Sequence, residues 1–201
     1  MNFYTVAIGD NYLVEASRLK KSVPTLNIFD VNHSLYTQLG DSQLADALYH
    51  KSNFANYIDD SVEGPIFFMD ADLYSDLENP MSSWEISNDV DIAYVPYEGQ
   101  WFFPDEERIK ATKKLGSKIN SGFIYFKNLE VAKLICTEWY KIVQRRLPLN
   151  VHEYDEYSLM IALDNLDFKF QNLDPKWNDW GENTQGEPAV ENAIFKQKHI
   201  R

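Results

Sequence analysis

Asp70 and Asp72 stand on either side of Ala71, directly after the apolar run Ile66-Phe67-Phe68-Met69. Two carboxylates one small residue apart offer hard oxygen donors, which suit Mg²⁺ or Mn²⁺ shared with the phosphates of a substrate. Ionised aspartates cannot lie unpaired inside a sheet. They belong at the carboxyl end of a strand, where open α/β sheets place their ligands. The run before them supplies such a strand. It opens at the turn-forming Gly64-Pro65, is rich in β-favouring residues and does not alternate apolar with polar, which predicts a central strand covered on both faces.

The rest of the chain alternates strand-like runs with helical patterns. Residues 3–8 read as a first strand ending at Gly9-Asp10-Asn11, and Leu13, Ala16, Leu19 and Val23 fall near helical spacing around a helix over about 12–22. Residues 26–31 form a second strand, and 42–57 hold one or two helices before the Gly64 turn. Beyond the acidic pair, 90–95 reads as a strand bounded by Pro96. The stretch 97–118, with Trp101-Phe102-Phe103-Pro104, fits either a loop or a helix with an irregular start. Strand character resumes over 119–126, and 129–146 is an amphipathic helix with Val131, Leu134, Ile135, Trp139 and Val143 along one side, closed by Pro148. A helix with an acidic first turn follows over 154–165, then a short strand from Phe168-Lys169-Phe170, and strand character returns last at Ala193-Ile194-Phe195. With no repeat, low-complexity tract or long linker, residues 1–201 read as one α/β domain.

Composition narrows the function. A chain of 201 residues buries roughly 70% of its unfolded surface. A net charge of −12 and a pI near 4.7 exclude a nucleic-acid binder, whose affinity comes from cations on phosphates. One anionic nucleotide remains compatible if a divalent cation stands between it and the acidic pair. The single Cys136 excludes an intrachain disulfide and a cysteine-rich zinc site, and reads as a core residue. No apolar stretch reaches the roughly 18 residues of a membrane span and no signal-like segment opens the sequence, so a soluble cytoplasmic protein is expected.

Four further segments keep company with the acidic strand in a fixed order. They are Ile8-Gly9-Asp10-Asn11-Tyr12, Lys51 in Tyr49-His50-Lys51-Ser52-Asn53, Asn120-Ser121-Gly122, and Tyr154-Asp155-Glu156-Tyr157-Ser158-Leu159-Met160. With Phe67-Phe68-Met69-Asp70-Ala71-Asp72, this order resembles the GT-A nucleotide-sugar glycosyltransferases over nearly the whole chain, in particular the group of glycogenin and the bacterial lipopolysaccharide galactosyltransferases. The resemblance implies a Rossmann-like mixed, mostly parallel sheet flanked by helices. It also implies a metal motif at Asp70-Ala71-Asp72 and a uridine-binding turn at Ile8, Asp10 and Tyr12, with the Tyr12 ring on the base. Lys51 occupies the place of a basic residue used on donor phosphates, against the competing reading of a solvated surface lysine. Asn120, Ser121 and Gly122 match the segment that approaches the donor sugar, and Asp155 matches the acidic residue near the transferred sugar, so Asn120 and Asp155 are the catalytic candidates. Glu156 and Met160 depart from the family's Gln and Asn. His199 looks like the family's C-terminal metal ligand, with Lys196 or Lys198 near the phosphates, although the Gly-x-x-Lys-Pro-Trp continuation does not follow it here.

The function so implied is transfer of a sugar from a UDP-sugar donor to a saccharide or other hydroxyl acceptor, assisted by Mn²⁺ or Mg²⁺, with retention at the anomeric carbon. Two other classes fit parts of the sequence. A haloacid-dehalogenase-type phosphatase also carries Asp-x-Asp at a strand end, and a non-catalytic carbohydrate-binding or assembly protein would share the fold. Trp101, Phe102 and Phe103, with Trp177 and Trp180, fit either an acceptor platform or a cover for the sheet.

Overall fold

The computed structural model describes residues 1–31, 43–87, 89–97, 105–147, 155–178 and 193–197. In chain order the strands are β1 (Asn2–Ile8), β2 (Leu26–Val31), β3 (Ile66–Met69), β4 (Leu73–Tyr74), β5 (Ile92–Tyr97), β6 (Lys118–Phe126), β7 (Phe170–Asn172) and β8 (Lys196–Gln197). The helices are α1 (Asp10–Ser22), α2 (Gln43–Ser52), α3 (Glu106–Leu115), α4 (Leu129–Arg146) and α5 (Asp155–Asp164). Six strands form one sheet in the order β2-β1-β3-β6-β5-β7, and β4 pairs with β8 beside it. Strand β6 runs antiparallel to both its neighbours, while the other pairings in the large sheet are parallel.

Period-two alternation along these strands divides the core between two faces. Tyr4, Phe68, Ile124 and Phe126 point to the face covered by α2, α3, α4 and α5. Phe3, Phe67, Phe123 and Tyr125 point to the other, under Leu19 of α1 and the C-terminal Trp177 and Phe195. All four residues of β3 are buried, as expected of a strand covered on both sides. Cys136 lies fully buried in α4. Among the described residues, no helix is long and apolar enough to cross a membrane.

Several boundaries differ from the sequence expectation for physical reasons. Helix α1 begins at Asp10, two residues earlier, because Gly9 takes the cap position with φ 77°. Strand β5 does not stop at Pro96 but runs through it to Tyr97. After a register shift at Tyr94/Val95, Pro96 pairs only with Ile119, since β7 accompanies β5 no further than Tyr94, and a proline is tolerated where a strand lacks its second neighbour. The stretch 97–118 contains α3, capped by the Asp105 carboxylate accepting the Arg108 N–H at 3.0 Å and ended by Gly116 at φ 72°. Leu134 is exposed, one position off the buried stripe of Val131, Ile135, Trp139 and Val143. The last strand is Lys196–Gln197, not 193–195. Ile194 and Phe195 are apolar because they anchor the segment, their N–H groups meeting the Lys176 carbonyl and the Phe195 ring stacking on Phe123 at 5.6 Å. Pro148 and 98–104 lie outside the described residues.

Candidate active site

The acidic pair sits on the turn that ends β3. The Leu73 N–H donates to the Asp70 carbonyl at 3.2 Å, which closes Asp70-Ala71-Asp72-Leu73 and leads into β4. Ala71 is small because it is buried against Ala7 and Ala16, with Tyr12 packed on the same cluster. Across the turn, the β3–β6 ladder continues one step beyond Met69 opposite Phe123, since the Asp70 N–H donates to the Gly122 carbonyl at 2.8 Å. That register sets Asn120-Ser121-Gly122 beside the carboxylates.

Gly122 is glycine for lack of room. A Cβ there would collide with the Asn178 amide nitrogen and crowd Asp70 Oδ2 at 3.1 Å and Asn120 Oδ1 at 3.2 Å. The Asn120 Oδ1 accepts from the Gly122 N–H at 2.9 Å and from Asn178 Nδ2 at 2.7 Å, so what Asn120 can offer a ligand is its amide N–H. Asn178, only 4% exposed, has an Oδ1 with no hydrogen-bond partner among the described residues.

Lys51, at the end of α2, is buried rather than solvated. Its ammonium lies 2.6 Å from Asp70 Oδ1, contacts Asp155 Oδ2 and donates to Ser121 Oγ at 3.0 Å, and the Ser121 hydroxyl donates on to Asp155 at 2.6 Å. Burial alone would push this ammonium down, but Asp155 and Asp70 outweigh it and hold it raised. Burial would likewise raise Asp155, yet Lys51 and the Ser121 hydroxyl keep it well below the carboxylate range. Asp70 and Asp72 go the other way. Burial, joined by Asp72 and Asp155 and only partly countered by Lys51, pushes Asp70 up to about 7, and burial pushes Asp72 up to about 6. Glu156 is driven well above its usual range by burial and by the neighbouring Asp155 carboxylate. Four carboxyls thus surround one ammonium, and the pair at Asp70 and Asp72 is short of positive charge.

The C-terminal segment reaches this pair through β8. Antiparallel pairing sets Gln197 opposite Leu73 and Lys196 opposite Tyr74. The Gln197 Nε2 then lies 3.3 Å from Asp72 Oδ1 and 3.5 Å from both Asp72 Oδ2 and Asp70 Oδ2. Its Oε1 is buried without a partner among the described residues, an arrangement that costs about 1–3 kcal/mol when nothing satisfies it. Among the described residues, no three His, Cys, Asp or Glu side chains gather in a way that could hold a metal ion. Two undercompensated carboxylates beside an unpartnered amide oxygen are nevertheless a donor set of the hard type that Mg²⁺ or Mn²⁺ takes.

These groups line a cavity of about 350 Å³, together with Val6, Ile8, Tyr12, Leu48 and Phe68, a size within the range of small-molecule sites. The cavity opens at the carboxyl ends of the parallel strands β1 and β3. No protein-family model matches the chain. No curated protein sequence is significantly similar to it. Solved structures are similar in fold. An active-site mutant of the galactosyltransferase LgtC aligns with TM-score 0.60 at 15% identity, covering 98% of this chain and 86% of that one. A glycosyltransferase involved in glycosylating the major capsid of PBCV-1 aligns at 0.63 and 14% identity, over 98% and 93% of the two chains. Mouse xyloside xylosyltransferase 1 aligns at 0.57 and 10% identity, over 98% and 97%. The chain has the GT-A glycosyltransferase fold.

Within this GT-A framework the sequence-derived residues fall into three groups. Ile8, Tyr12, Lys51, Asp70, Ala71, Asp72 and Asp155 line the same cavity, Ser121 and Gly122 are bonded to its acidic walls, and Asn120 joins them through the Gly122 N–H. Asp10 is exposed and does not line it. Lys198 and His199 lie outside the described residues, as do Trp101, Phe102, Phe103 and Trp180. Trp177 covers the sheet, stacked on Phe123 at 5.6 Å and edge-on to Trp84 at 5.0 Å. Sequence reasoning missed Asn178 and Gln197. Asn178 follows a short 3₁₀ turn in a polar stretch with no motif to mark it. Gln197 had a signal, since it lies just beyond the apolar run 193–195, two positions before the histidine that drew attention.

Proposed function

We propose that the protein is a metal-dependent glycosyltransferase, one domain over residues 1–201, that moves a sugar from a UDP-sugar to a saccharide or other hydroxyl acceptor with retention. The observation that carries this reading is the meeting of Asp70, Asp72, Lys51, Asp155 and Asn120-Ser121-Gly122 around one cavity of a GT-A fold. Mn²⁺ or Mg²⁺, held by Asp70 and Asp72, would supply the charge that neutralises the departing diphosphate.

The chain's own groups do the rest. The Tyr12 ring offers an apolar face for the base, and the Lys51 ammonium is a fixed cation for the phosphates. Asn120 and Ser121 orient the sugar through hydroxyl contacts, and the close approach permitted at Gly122 lets the sugar lie against the backbone. Asp155 is a poor base, because Lys51 and Ser121 already occupy its carboxylate and hold its proton affinity low. It serves better as a fixed anion facing the positive charge that grows at the anomeric carbon. This is why retention is favoured over an inverting reaction that would need Asp155 to deprotonate the acceptor. A buried lone cysteine suits the cytoplasm, where we place the enzyme.

The test is a thermal-shift screen of nucleotide sugars with and without Mn²⁺, followed by UDP release from those that bind and NMR of the product anomer. UDP release that EDTA stops supports the reading. If no UDP-sugar shifts the melting curve or releases UDP, the non-catalytic carbohydrate-binding or assembly alternative takes its place.

A further inference from the structure

We propose that Gln197, through its side-chain carbonyl oxygen, is a direct ligand of the divalent cation beside Asp70 and Asp72. The inference rests on the metal-dependent reading above and names the residue that the C-terminal segment contributes, where the sequence analysis had expected the His199 imidazole. Three observations carry it. First, β8 pairs with β4, the strand that leaves Asp72, so the pairing of Gln197 with Leu73 fixes the glutamine over the acidic turn. Second, the end of its side chain lies 3.3–3.5 Å from Asp70 Oδ2 and both Asp72 oxygens. Neighbouring oxygens in an octahedral shell at about 2.0–2.1 Å from the ion stand about 2.8–3.0 Å apart, so the amide lies within about half an ångström of a ligand's distance from both carboxylates. Third, the Oε1 is buried and has no partner among the described residues, while the Nε2 faces the carboxylates.

Without a cation, the amide N–H is the donor the protein can set between two buried carboxylates. With a cation there, the N–H would face a positive charge, and a half-turn of the planar amide exchanges Nε2 for Oε1 at the same place. The turn needs no backbone movement. It also explains why a glutamine works here, since one side chain satisfies the carboxylates in one orientation and the ion in the other. Among the described residues no third His, Cys, Asp or Glu joins Asp70 and Asp72 in an arrangement that could hold a metal ion, Asp155 being taken up by Lys51 and Ser121, so an amide oxygen is the group that completes the protein's share.

The experiment follows Mn²⁺ binding to the 201-residue chain, free of other ligands, by the loss of the free-ion electron paramagnetic resonance signal. Wild type, Asp72→Asn, Gln197→Ala and Gln197→Glu are compared, and the Gln197 variants are repeated with His199→Ala so that the imidazole cannot mask a loss. Gln197→Ala is expected to weaken Mn²⁺ by about tenfold or more, and Gln197→Glu to tighten it, with both variants still melting cooperatively without metal. If wild type binds Mn²⁺, Asp72→Asn does not, and Gln197→Ala binds as wild type does, the assignment of Gln197 is overturned and the acidic metal site stands. If wild type binds no Mn²⁺, with or without added UDP, the metal-dependent reading itself falls and the ligand assignment with it.

Discussion

At the scale of single residues, the site is governed by how little space and positive charge it has. Gly122 is the clearest case of space. Gly122→Ala is expected to destabilise the protein by about 1–3 kcal/mol, because the added methyl must displace Asn178 or the Asp70 carboxylate. Chemical denaturation measures the loss, and Asn178→Ala in the same chain should recover part of it. Should the double variant be no more stable than Gly122→Ala alone, the conflict lies elsewhere. Tyr12 tests the donor end of the cavity. Its ring is half-buried beside Ala71, so Tyr12→Ala should weaken UDP binding by about 1 kcal/mol in calorimetry, the worth of one aromatic contact. Equal affinity would make Tyr12 a packing residue. Asp70, Asp72 and Lys51 were legible as residue types, but the burial of Lys51 was not. Nothing in Tyr49-His50-Lys51-Ser52 distinguishes an ammonium held by two carboxylates from one in water.

At the scale of elements, register does the positioning. The antiparallel β6 brings Asn120-Ser121-Gly122 to the carboxyl end of β3 because its early residues pair past Met69, and the β4–β8 pair brings Gln197 to the same turn. Helix α4 braces this sheet from behind, with Trp139 Nε1 donating to Ser158 of α5 at 2.9 Å. Its start is fixed by Asn128, whose side chain accepts the Val131 N–H at 2.9 Å. Asn128→Ala is expected to cost about 1 kcal/mol of global stability in a urea melt without changing UDP affinity, since the cap is not part of the cavity lining. The helix itself was readable from its period. The passage of β5 through Pro96 was not, because tolerance of that proline depends on where β7 ends.

At the scale of the whole molecule, the concentration of carboxyls predicts an unusual pH dependence for the metal-free protein. Asp70 at about 7 and Asp72 at about 6 hold protons that unfolded aspartates, near 3.9, have already lost, so folding binds protons between these values. Their contribution therefore falls as pH rises from about 4 to about 7 and is flat above that. Glu156 acts with the same sign. Asp155, held low, contributes stability above about 4 that is lost only in stronger acid, and Lys51, held high, is unaffected in this window. The melting midpoint without metal should thus be higher near pH 5 than near pH 7.5 by several degrees, about 1 kcal/mol being worth roughly 2–4 °C in a protein of this size. Scanning calorimetry at the two pH values, with EDTA and then with Mn²⁺ at pH 7.5, reads both the loss and its recovery. A midpoint that rises over this range without metal would mean that the two carboxyls are not shifted upward.

Sequence alone determined the strand that carries the acidic pair, the α/β order around it and the residues of the central motif, because burial period and the cost of unpaired charge are local properties of a chain. It also fixed the glycine at 122, though not its reason. The tertiary structure decided what those residues touch. Whether Lys51 meets water or two aspartates, and whether the C-terminal segment offers the acidic turn a glutamine, depends on strand pairing between residues more than a hundred positions apart, as with Asp72 and Gln197. Such contacts are settled by which buried faces can close together, and a single sequence does not state that.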